Sequence, residues 1–376
     1  MKFIISRDVL LKNLTAVSGV LNSNNTMAIL DNFLFTLEGK KLIITASDLD
    51  STMCAEIELE NIEGEGSVAI PSKLLLDTLK LLPETPVVFK IDTENKTVLF
   101  SANQGEYNSP ICLGDEYPQM QKMQDPRSFD IDANILQRAI SKTLFATGND
   151  DMRPTMMGVL CELSSDNITF VATDAHKLVR YRNAKVKADD FTSFILPKKP
   201  ITHLRNVLAG VNEPVHVEYS SETNHIKFSF ANLTLFSSLK EGKFPNYENV
   251  IPTVNPNKLS VPREDFLKAI RRVGNFSNQS TYQVRISLAE DSVVINAEDI
   301  DYSNKAEENI TGSYTGEPMS IGFNSKFLRE MLENMDSDEV FLEMSQPNRA
   351  ALILPAEEAD ADESLLMLIM PVMLNY

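Results

Sequence analysis

The sequence ITFVATDAHKLVRYR, residues 168–182, is the stretch from which the organisation of the whole chain follows. Its first residues alternate between apolar and polar types, which is typical of a half-buried β-strand. Thr173, Asp174 and Ala175 predict a turn, because Thr and Asp side chains hydrogen-bond to nearby backbone groups. A basic run completes the stretch, which therefore combines a strand, a tight turn and a group of positive charges.

Two other parts of the chain resemble this stretch. The sequence IITASDLD covers residues 43–50, and VINAEDID covers residues 294–301. The turn aspartates Asp48, Asp174 and Asp299 are separated by 126 and 125 residues. This period indicates a duplicated domain, because solenoid repeats are only about 20–50 residues long. The chain is therefore predicted to consist of three similar thirds.

Each third predicts the same order of elements: a short strand, a helix, strands with the aspartate turn, a second helix and closing strands. The first helices are predicted over residues 7–21, 132–147 and 263–274, where apolar residues recur at helical spacing. The second helices are predicted over residues 72–82, 198–208 and 325–335, with Ser72 and Asn324 as N-terminal caps.

The predicted fold class is α+β, with antiparallel strands and two helices in each third. Two helices cannot cover both faces of a sheet, so we expect them on one face. Polar, proline-containing linkers are expected near residues 121–126 and 252–257. The predicted domains are residues 1–122, 127–251 and 256–376.

The composition is that of an ordinary globular protein of 376 residues, with 43% hydrophobic and 23% charged residues. No apolar run reaches the length of a membrane span. The three cysteines are far apart and odd in number, which favours reduced thiols and a cytoplasmic location. The net charge of −18 argues, taken alone, against binding to nucleic acid.

The distribution of charge changes this interpretation. The six predicted helices carry a net charge of +8, so the remainder of the chain carries −26. If the helices share one side of the sheets, that side is basic and can contact phosphates without recognising a base sequence. The alternative is that helices simply contain more Lys and Arg, with no nucleic acid involved.

The sequence contains no recognisable catalytic or metal-binding motif. The four histidines are not spaced with Cys or carboxylates as metal ligands are, and phosphate-loop and hydrolase motifs are missing from the sequence. An enzyme would need Asp48, Asp174 and His176 as acid–base groups. Aspartates in tight turns more often bond to the backbone, which favours a structural role and predicts neither enzyme activity nor a cofactor.

The C-terminal sequence SLLMLIMPVMLNY, residues 364–376, predicts a last strand followed by a tail. Pro371 cannot donate a hydrogen bond to a sheet, so pairing is expected to end there. Val372, Met373 and Leu374 are then free either to contact partner proteins or to pack on their own domain.

Several motifs together resemble the bacterial DNA polymerase III β subunit family, the replicative sliding clamps. They are ATDAHKL at residues 172–178, FPNY at 244–247, VIP at 250–252, GFN at 322–324 and MPV at 370–372. Each motif alone is weak, but their order, the chain length and the three-fold repetition all agree with this family.

The resemblance implies a binding protein and not an enzyme. It implies a head-to-tail homodimer that closes a six-domain ring, with strands outside and helices lining the hole. Such a ring encircles duplex DNA, slides along it independently of sequence and tethers the replicative polymerase. The clamp loader and other proteins with a clamp-binding motif are the further implied partners, and no membrane is involved.

The resemblance also implies three sets of functional residues. The peptide-binding set is Arg153, Thr173, Ala175, His176, Lys177, Leu178, Pro245, Val250, Asn324, Phe327, Ile369, Met370, Pro371 and Val372. The DNA-facing set is Lys73, Lys80, Arg138, Lys142, Lys198, Lys199, Arg205, Arg271 and Arg272. Tyr107 and Phe276 correspond to the residues of the dimer interface.

Some positions depart from the family pattern. Ala175 replaces a frequent Gly, and Lys177 replaces an Arg. Asn24 replaces a basic residue, which weakens a DNA-binding role for that loop. Met373 stands where a polar residue is common, and Asn375 and Tyr376 extend the tail. A protein–protein scaffold that never binds DNA is the remaining alternative to a clamp.

Overall fold

The computed structural model describes residues 1–22, 25 and 27–374. Within these residues the three thirds repeat one order of elements, as predicted. The first third contains helices α1 (Arg7–Ser18) and α2 (Ser72–Leu81). Its strands are β1 (Lys2–Ser6), β2 (Asn32–Glu38), β3 (Lys41–Ser47), β4 (Ser51–Glu58), β5 (Ile62–Glu63), β6 (Gly66–Pro71), β7 (Pro86–Asp92), β8 (Thr97–Ala102), β9 (Gly105–Pro110) and β10 (Cys112–Leu113).

The second third contains helices α3 (Ala133–Thr143) and α4 (Lys198–Val207). Its strands are β11 (Arg127–Asp132), β12 (Gly158–Leu163), β13 (Ile168–Thr173), β14 (Lys177–Asn183), β15 (Thr192–Pro197), β16 (Pro214–Ser220), β17 (His225–Phe230) and β18 (Leu233–Ser238).

The last third contains helices α5 (Arg263–Gly274) and α6 (Ser325–Glu333). Its strands are β19 (Asn257–Pro262), β20 (Gln283–Ala289), β21 (Ser292–Asp299), β22 (Asn304–Ile310), β23 (Ser313–Thr315), β24 (Met319–Asn324), β25 (Glu339–Met344), β26 (Ala351–Pro355) and β27 (Glu363–Ile369). The α+β class with antiparallel sheets is confirmed.

The helix ends differ in detail from the prediction. Helix α5 has the predicted bounds, whereas α1 ends three residues early, at Ser18. Asn324 caps α6 as predicted, because its side chain accepts hydrogen bonds from the backbone of Lys326 and Phe327. The prediction that Ser72 caps α2 is wrong: Pro71 occupies the cap position, and the Ser72 hydroxyl donates to the Asp31 carbonyl at 2.5 Å.

The chain forms two compact units, which do not coincide with the sequence repeats. The first unit comprises residues 1–136 and 199–239, and the second comprises residues 137–198 and 240–376. The first unit contains a five-stranded sheet, β5-β1-β7-β8-β9, and a nine-stranded sheet, β10-β6-β2-β3-β4-β18-β17-β16-β11. In the second sheet β4 pairs with β18, so strands from two different thirds share one ladder.

The second unit is built in the same way. Its nine-stranded sheet has the order β15-β12-β13-β14-β27-β26-β25-β19-β23, and its four-stranded sheet has the order β22-β21-β20-β24. Here β14 pairs with β27, with Leu178 opposite Leu368. Such pairing covers strand edges that would otherwise be open to association.

Each unit has its own apolar core. In the first unit the rings of Phe3 and Phe89 stack with centroids 4.7 Å apart, and α1 buries Leu10, Leu14 and Val17 at helical spacing. In the second unit α5 packs against α6 and the strands β21 and β22. Among the described residues, no helix is both long and apolar enough to cross a membrane.

Candidate peptide groove, basic helices and closure residues

The turn after β13 is held by two side chains of its own sequence. The Asp174 carboxylate accepts hydrogen bonds from the backbone N–H groups of His176 and Lys177, each at 2.9 Å. The Thr173 hydroxyl donates to the Lys177 carbonyl at 2.8 Å and accepts from the Ala175 N–H at 3.1 Å. The turn therefore projects its middle residues from the end of the sheet in a fixed conformation.

The turn aspartates of the other two thirds also accept hydrogen bonds from nearby backbone N–H groups. Asp48 accepts from the N–H of Ser51 at 2.7 Å, and Asp299 accepts from the N–H of Asp301 at 3.2 Å. The structural role predicted for the turn aspartates is therefore confirmed. In the part of the chain that the structure describes, no group of three or more His, Cys, Asp or Glu side chains is placed to hold a metal ion.

Lys177 is buried and connects the turn to α6. Its ammonium pairs with Glu330 and lies 3.7 Å from the Asp174 carboxylate. It also lies 4.9 Å from the centre of the Phe327 ring and 5.7 Å from that of Phe145. Because this charge is already paired and covered, Lys177 acts by positioning its neighbours.

His176, Phe327 and the start of the tail meet beside this turn. The His176 ring is exposed and stacks on Phe327, with ring centres 5.9 Å apart. The His176 carbonyl accepts a hydrogen bond from the N–H of Met370 at 2.9 Å. The cap formed by Asn324 sets the first turn of α6, from which Phe327 projects.

The tail is only partly free. Strand β27 ends at Ile369, as expected, but the N–H of Val372 donates to the Gly322 carbonyl at 2.8 Å. The prediction that pairing ends at Pro371 is therefore wrong by one bridge, which forms because the residue after proline again has an N–H to donate. Met370 and Met373 remain 40% and 71% exposed.

Leu178 differs from its prediction. The resemblance places it among the residues that contact a bound peptide, but it lies on β14 and is only 2% exposed. It belongs to a core cluster with Phe244, Tyr247 and Leu368. Leu178 therefore forms part of the base beneath the exposed side chains.

The remaining residues of the predicted peptide set lie in the same unit. Val250 is 53% exposed at the end of the short helical turn Glu248–Val250, and Pro245 is half-buried. The Arg153 Nε donates to Asp150 at 2.9 Å. Ile369 is fully buried and packs beneath the exposed residues of the set. Met152, which the sequence did not indicate, is 87% exposed; an isolated apolar residue in a polar turn gives no pattern to detect.

The predicted DNA-facing residues fall into three groups by exposure. The exposed ones are Lys73, Lys80, Lys199, Arg271 and Arg272, and the half-buried ones are Arg138, Lys198 and Arg205. Lys142 is buried, and its ammonium donates to the Asn334 carbonyl and pairs with Asp336, both at 2.7 Å. We therefore remove Lys142 from this set, since its charge is bound inside the protein.

Several of the other cations also have internal partners. Lys199 pairs with Asp48 and donates to the Val20 carbonyl at 2.8 Å. The guanidinium groups of Arg271 and Arg272 pair with Glu333 and Glu308. Burial lowers the pKa of the Lys198 ammonium, and the charge of Lys177 lowers it further.

The two predicted closure residues lie in different units. Tyr107 is on the edge strand β9, where its ring stacks on Phe100 with centres 5.2 Å apart. Beside it, Lys73, Leu74 and Leu81 line a cleft of about 1010 Å³. Phe276 lies two residues beyond α5 and is 43% exposed. The predictions for Asn24, Asn375 and Tyr376 fall outside the described residues.

Comparison with known families covers nearly the whole chain. Family models for the DNA polymerase III beta subunit match in three parts. The N-terminal domain matches residues 1–121, the central domain residues 130–246 and the C-terminal domain residues 248–373.

Curated relatives and solved structures agree with these matches. The beta sliding clamp of Vibrio cholerae is 30% identical over 380 residues, covering 100% of both chains. That of Pseudomonas aeruginosa is 29% identical over 375 residues, with the same coverage. A crystal structure of a P. aeruginosa sliding clamp bound to griselimycin has a TM-score of 0.93 and 28% identity, covering 100% of each chain.

Proposed function

This chain belongs to the family of bacterial DNA polymerase III β subunits and is a DNA sliding clamp, and we propose here the contacts through which it works. Clamps of this family are non-catalytic processivity factors. The observation that carries the assignment is the match of three successive domain models to one chain, together with full-length structural similarity. We propose domain boundaries at residues 1–122, 127–251 and 256–376.

We propose that two chains form a head-to-tail homodimer that closes a ring around duplex DNA, in the cytoplasm and without enzymatic activity. Support comes from apolar surface at both proposed contacts. One contact surface contains Tyr107 and its neighbour Leu81, and the other contains Phe276. A closed ring holds DNA topologically, so basic helix residues need only weak, sequence-independent phosphate contacts. Lys73, Lys80 and Arg205 are the members of the DNA-facing set that fit this role best, because among the described residues no carboxylate from another element is paired with them; Lys80 lies 3.8 Å from Asp77 of its own helix.

The test of encirclement is the topology of the DNA. The chain is labelled with a fluorophore and loaded onto a nicked circular plasmid by the cognate clamp loader. The labelled chain is expected to stay bound to the plasmid during gel filtration. Cutting the plasmid once should release it, because a ring slides off a free end. Retention on the cut plasmid at the same level would contradict encirclement, and a plasmid cut and then blocked at both ends serves as the control.

We also propose that the exposed groups around the Asp174 turn form a groove for a short peptide with apolar anchors. Support comes from the exposed apolar side chains of Val250, Met370 and Met373, which lie in one compact unit with the exposed ring of His176. Exposed apolar surface rimmed by polar groups is typical of a partner site. Binding there would tether the polymerase and the other replication proteins to DNA.

Removal of residues 370–376 is expected to abolish binding of a fluorescent peptide from the replicative polymerase. Val250→Ser should weaken the same peptide about tenfold, since burying a valine side chain contributes about 1.5 kcal/mol. Val254→Ser is the matched control, because Val254 is also an exposed valine, at 73% against 53% for Val250, but lies outside the groove set. If the original chain, the truncated chain and both valine variants bind the peptide with equal affinity, the peptide binds elsewhere.

A further inference from the structure

Two arginines of β14 lie on the same face of the sheet as Leu178. Alternate residues of a strand point to the same side, so Leu178, Arg180 and Arg182 share one face. The burial pattern agrees, because the intervening Val179 and Tyr181 are fully buried and both arginines are half-buried. The face that carries the base of the groove therefore continues into a pair of guanidinium groups.

Both arginines use the same carboxylate oxygen. The Oε1 atom of Glu248 lies 2.8 Å from Arg182 Nη2 and 3.5 Å from Arg180 Nη1. Arg182 Nε donates in addition to the Thr169 hydroxyl at 3.3 Å. Glu248 is half-exposed and begins the short turn that ends at Val250, so the three charges border the groove.

Arg180 has more donors than acceptors around it. Its Nε is buried and has no hydrogen-bond partner among residues 1–22, 25 and 27–374. Burial lowers the pKa of the Arg180 guanidinium, and the nearby charge of Arg182 lowers it further, against the opposing effect of Glu248. Among the described residues the two guanidinium groups share one carboxylate oxygen, that of Glu248, so they keep N–H donors for a second carboxylate.

We propose that Arg180 and Arg182 determine the specificity of the groove by binding a carboxylate that the partner peptide carries next to its apolar anchor. This inference rests on the proposed peptide-binding function. In the free chain the carboxylate of Glu248 pairs with both arginines. The carboxylate of the bound peptide either displaces Glu248 or binds beside it. The group that both guanidinium groups now contact is itself a carboxylate, which favours an Asp, a Glu or a peptide C-terminus as the ligand.

The test uses the polymerase-derived peptide in matched forms. One pair has Asp or Asn beside the apolar anchor, and a second pair ends there in a free carboxylate or an amide. The chain is expected to bind one acidic form about tenfold more tightly than its neutral counterpart, since a hydrogen bond to a charged group contributes about 1.5 kcal/mol. The pair that shows the difference identifies the source of the carboxylate.

The variant Arg180→Gln with Arg182→Gln is expected to bind the acidic and neutral forms equally. Lys185→Gln, which removes an exposed lysine paired with Asp360 and Asp362, should keep the tenfold preference. Glu248→Gln should strengthen binding of the acidic form several-fold and leave the neutral form unchanged. Because misfolding cannot increase affinity, Glu248→Gln remains informative even if the double arginine variant does not fold.

Three results would overturn the inference. If the chain binds acidic and neutral forms equally while Val250→Ser weakens both, the groove stands and the arginine pair has no part in specificity. If the preference persists in the double arginine variant, the carboxylate binds elsewhere. A chain that binds none of these peptides refutes the groove itself, and the inference with it.

Discussion

Ala175 has a backbone φ of 76°, a left-handed conformation that L-residues with a side chain rarely adopt. Leu49, at the equivalent position after Asp48, has a φ of 78°. The side chains of Thr173 and Asp174 hold this conformation by accepting hydrogen bonds from the backbone N–H groups of Ala175 and His176. The left-handed conformation itself costs a non-glycine residue about 1–2 kcal/mol. The frequent glycine of the family at this position therefore has a direct conformational explanation.

Ala175→Gly is expected to stabilise the protein by about 0.5–1 kcal/mol. The relief of about 1–2 kcal/mol in the folded state exceeds the 0.4–1 kcal/mol that glycine adds to the entropy of the unfolded chain. Urea unfolding of the two proteins measures the difference. Ala359→Gly is the control, since Ala359 is exposed and has no positive φ, and it should destabilise. If both variants lose stability equally, the turn is not strained.

At the scale of elements, a polar network holds the last two turns of α3 to two other segments of the second unit. Arg138 pairs with Asp336 at 2.6 Å and with Glu363 at 2.8 Å, and Lys142 pairs with Asp336. The Tyr181 hydroxyl donates to Glu363 at 2.6 Å. Arg138 and Lys142, which the resemblance assigned to DNA contacts, are therefore held by carboxylates of the protein itself.

Burial acts to raise the pKa of Asp336, but hydrogen bonds from Lys142 and Arg138 hold it below the usual value for aspartate. A lowered folded-state pKa gives stability that is present above the unfolded pKa of about 3.9 and is lost as the pH falls through the folded pKa. Asp336→Asn should therefore destabilise the protein at pH 7, by about 1 kcal/mol because the carboxylate is half-exposed.

Thermal unfolding of Asp336→Asn and the original protein at pH 7 and pH 3 measures this effect. The difference in stability should narrow at the lower pH, where Asp336 begins to protonate. Asp338→Asn provides the control, because this neighbouring aspartate is exposed and is not part of the network. A difference that is the same at both pH values would show that the charge of Asp336 is unimportant.

At the scale of the molecule, closure of the proposed ring depends on apolar contacts between chains. Phe276→Asp is expected to convert dimers to monomers, since an aspartate in an apolar contact costs several kcal/mol. Sedimentation across nanomolar to micromolar concentrations measures the change. Phe191→Asp is the matched control, because Phe191 is more exposed than Phe276 but was not assigned to the interface. A Phe276→Asp protein that stays dimeric would contradict the assignment.

The predicted site and the observed one differ where side chains make long-range contacts. The Asp174 turn was predictable, because its hydrogen bonds join residues two to four positions apart. The burial of Leu178 depends on Phe244 and Leu368, which are distant in sequence, and no local pattern indicates them. The same holds for Lys199, whose pair with Asp48 joins residues 151 positions apart.

The sequence by itself determined the period, the order of elements, the antiparallel α+β class and the bounds of α5. These features depend on hydrophobic periodicity and on side-chain preferences that act over a few residues. Only the tertiary structure decided that β4 pairs with β18 and β14 with β27, which puts the central third into two units. Strand pairing of this kind joins residues more than 170 positions apart, and burial across the whole unit selects it because backbone hydrogen bonds are the same for every pair of strands.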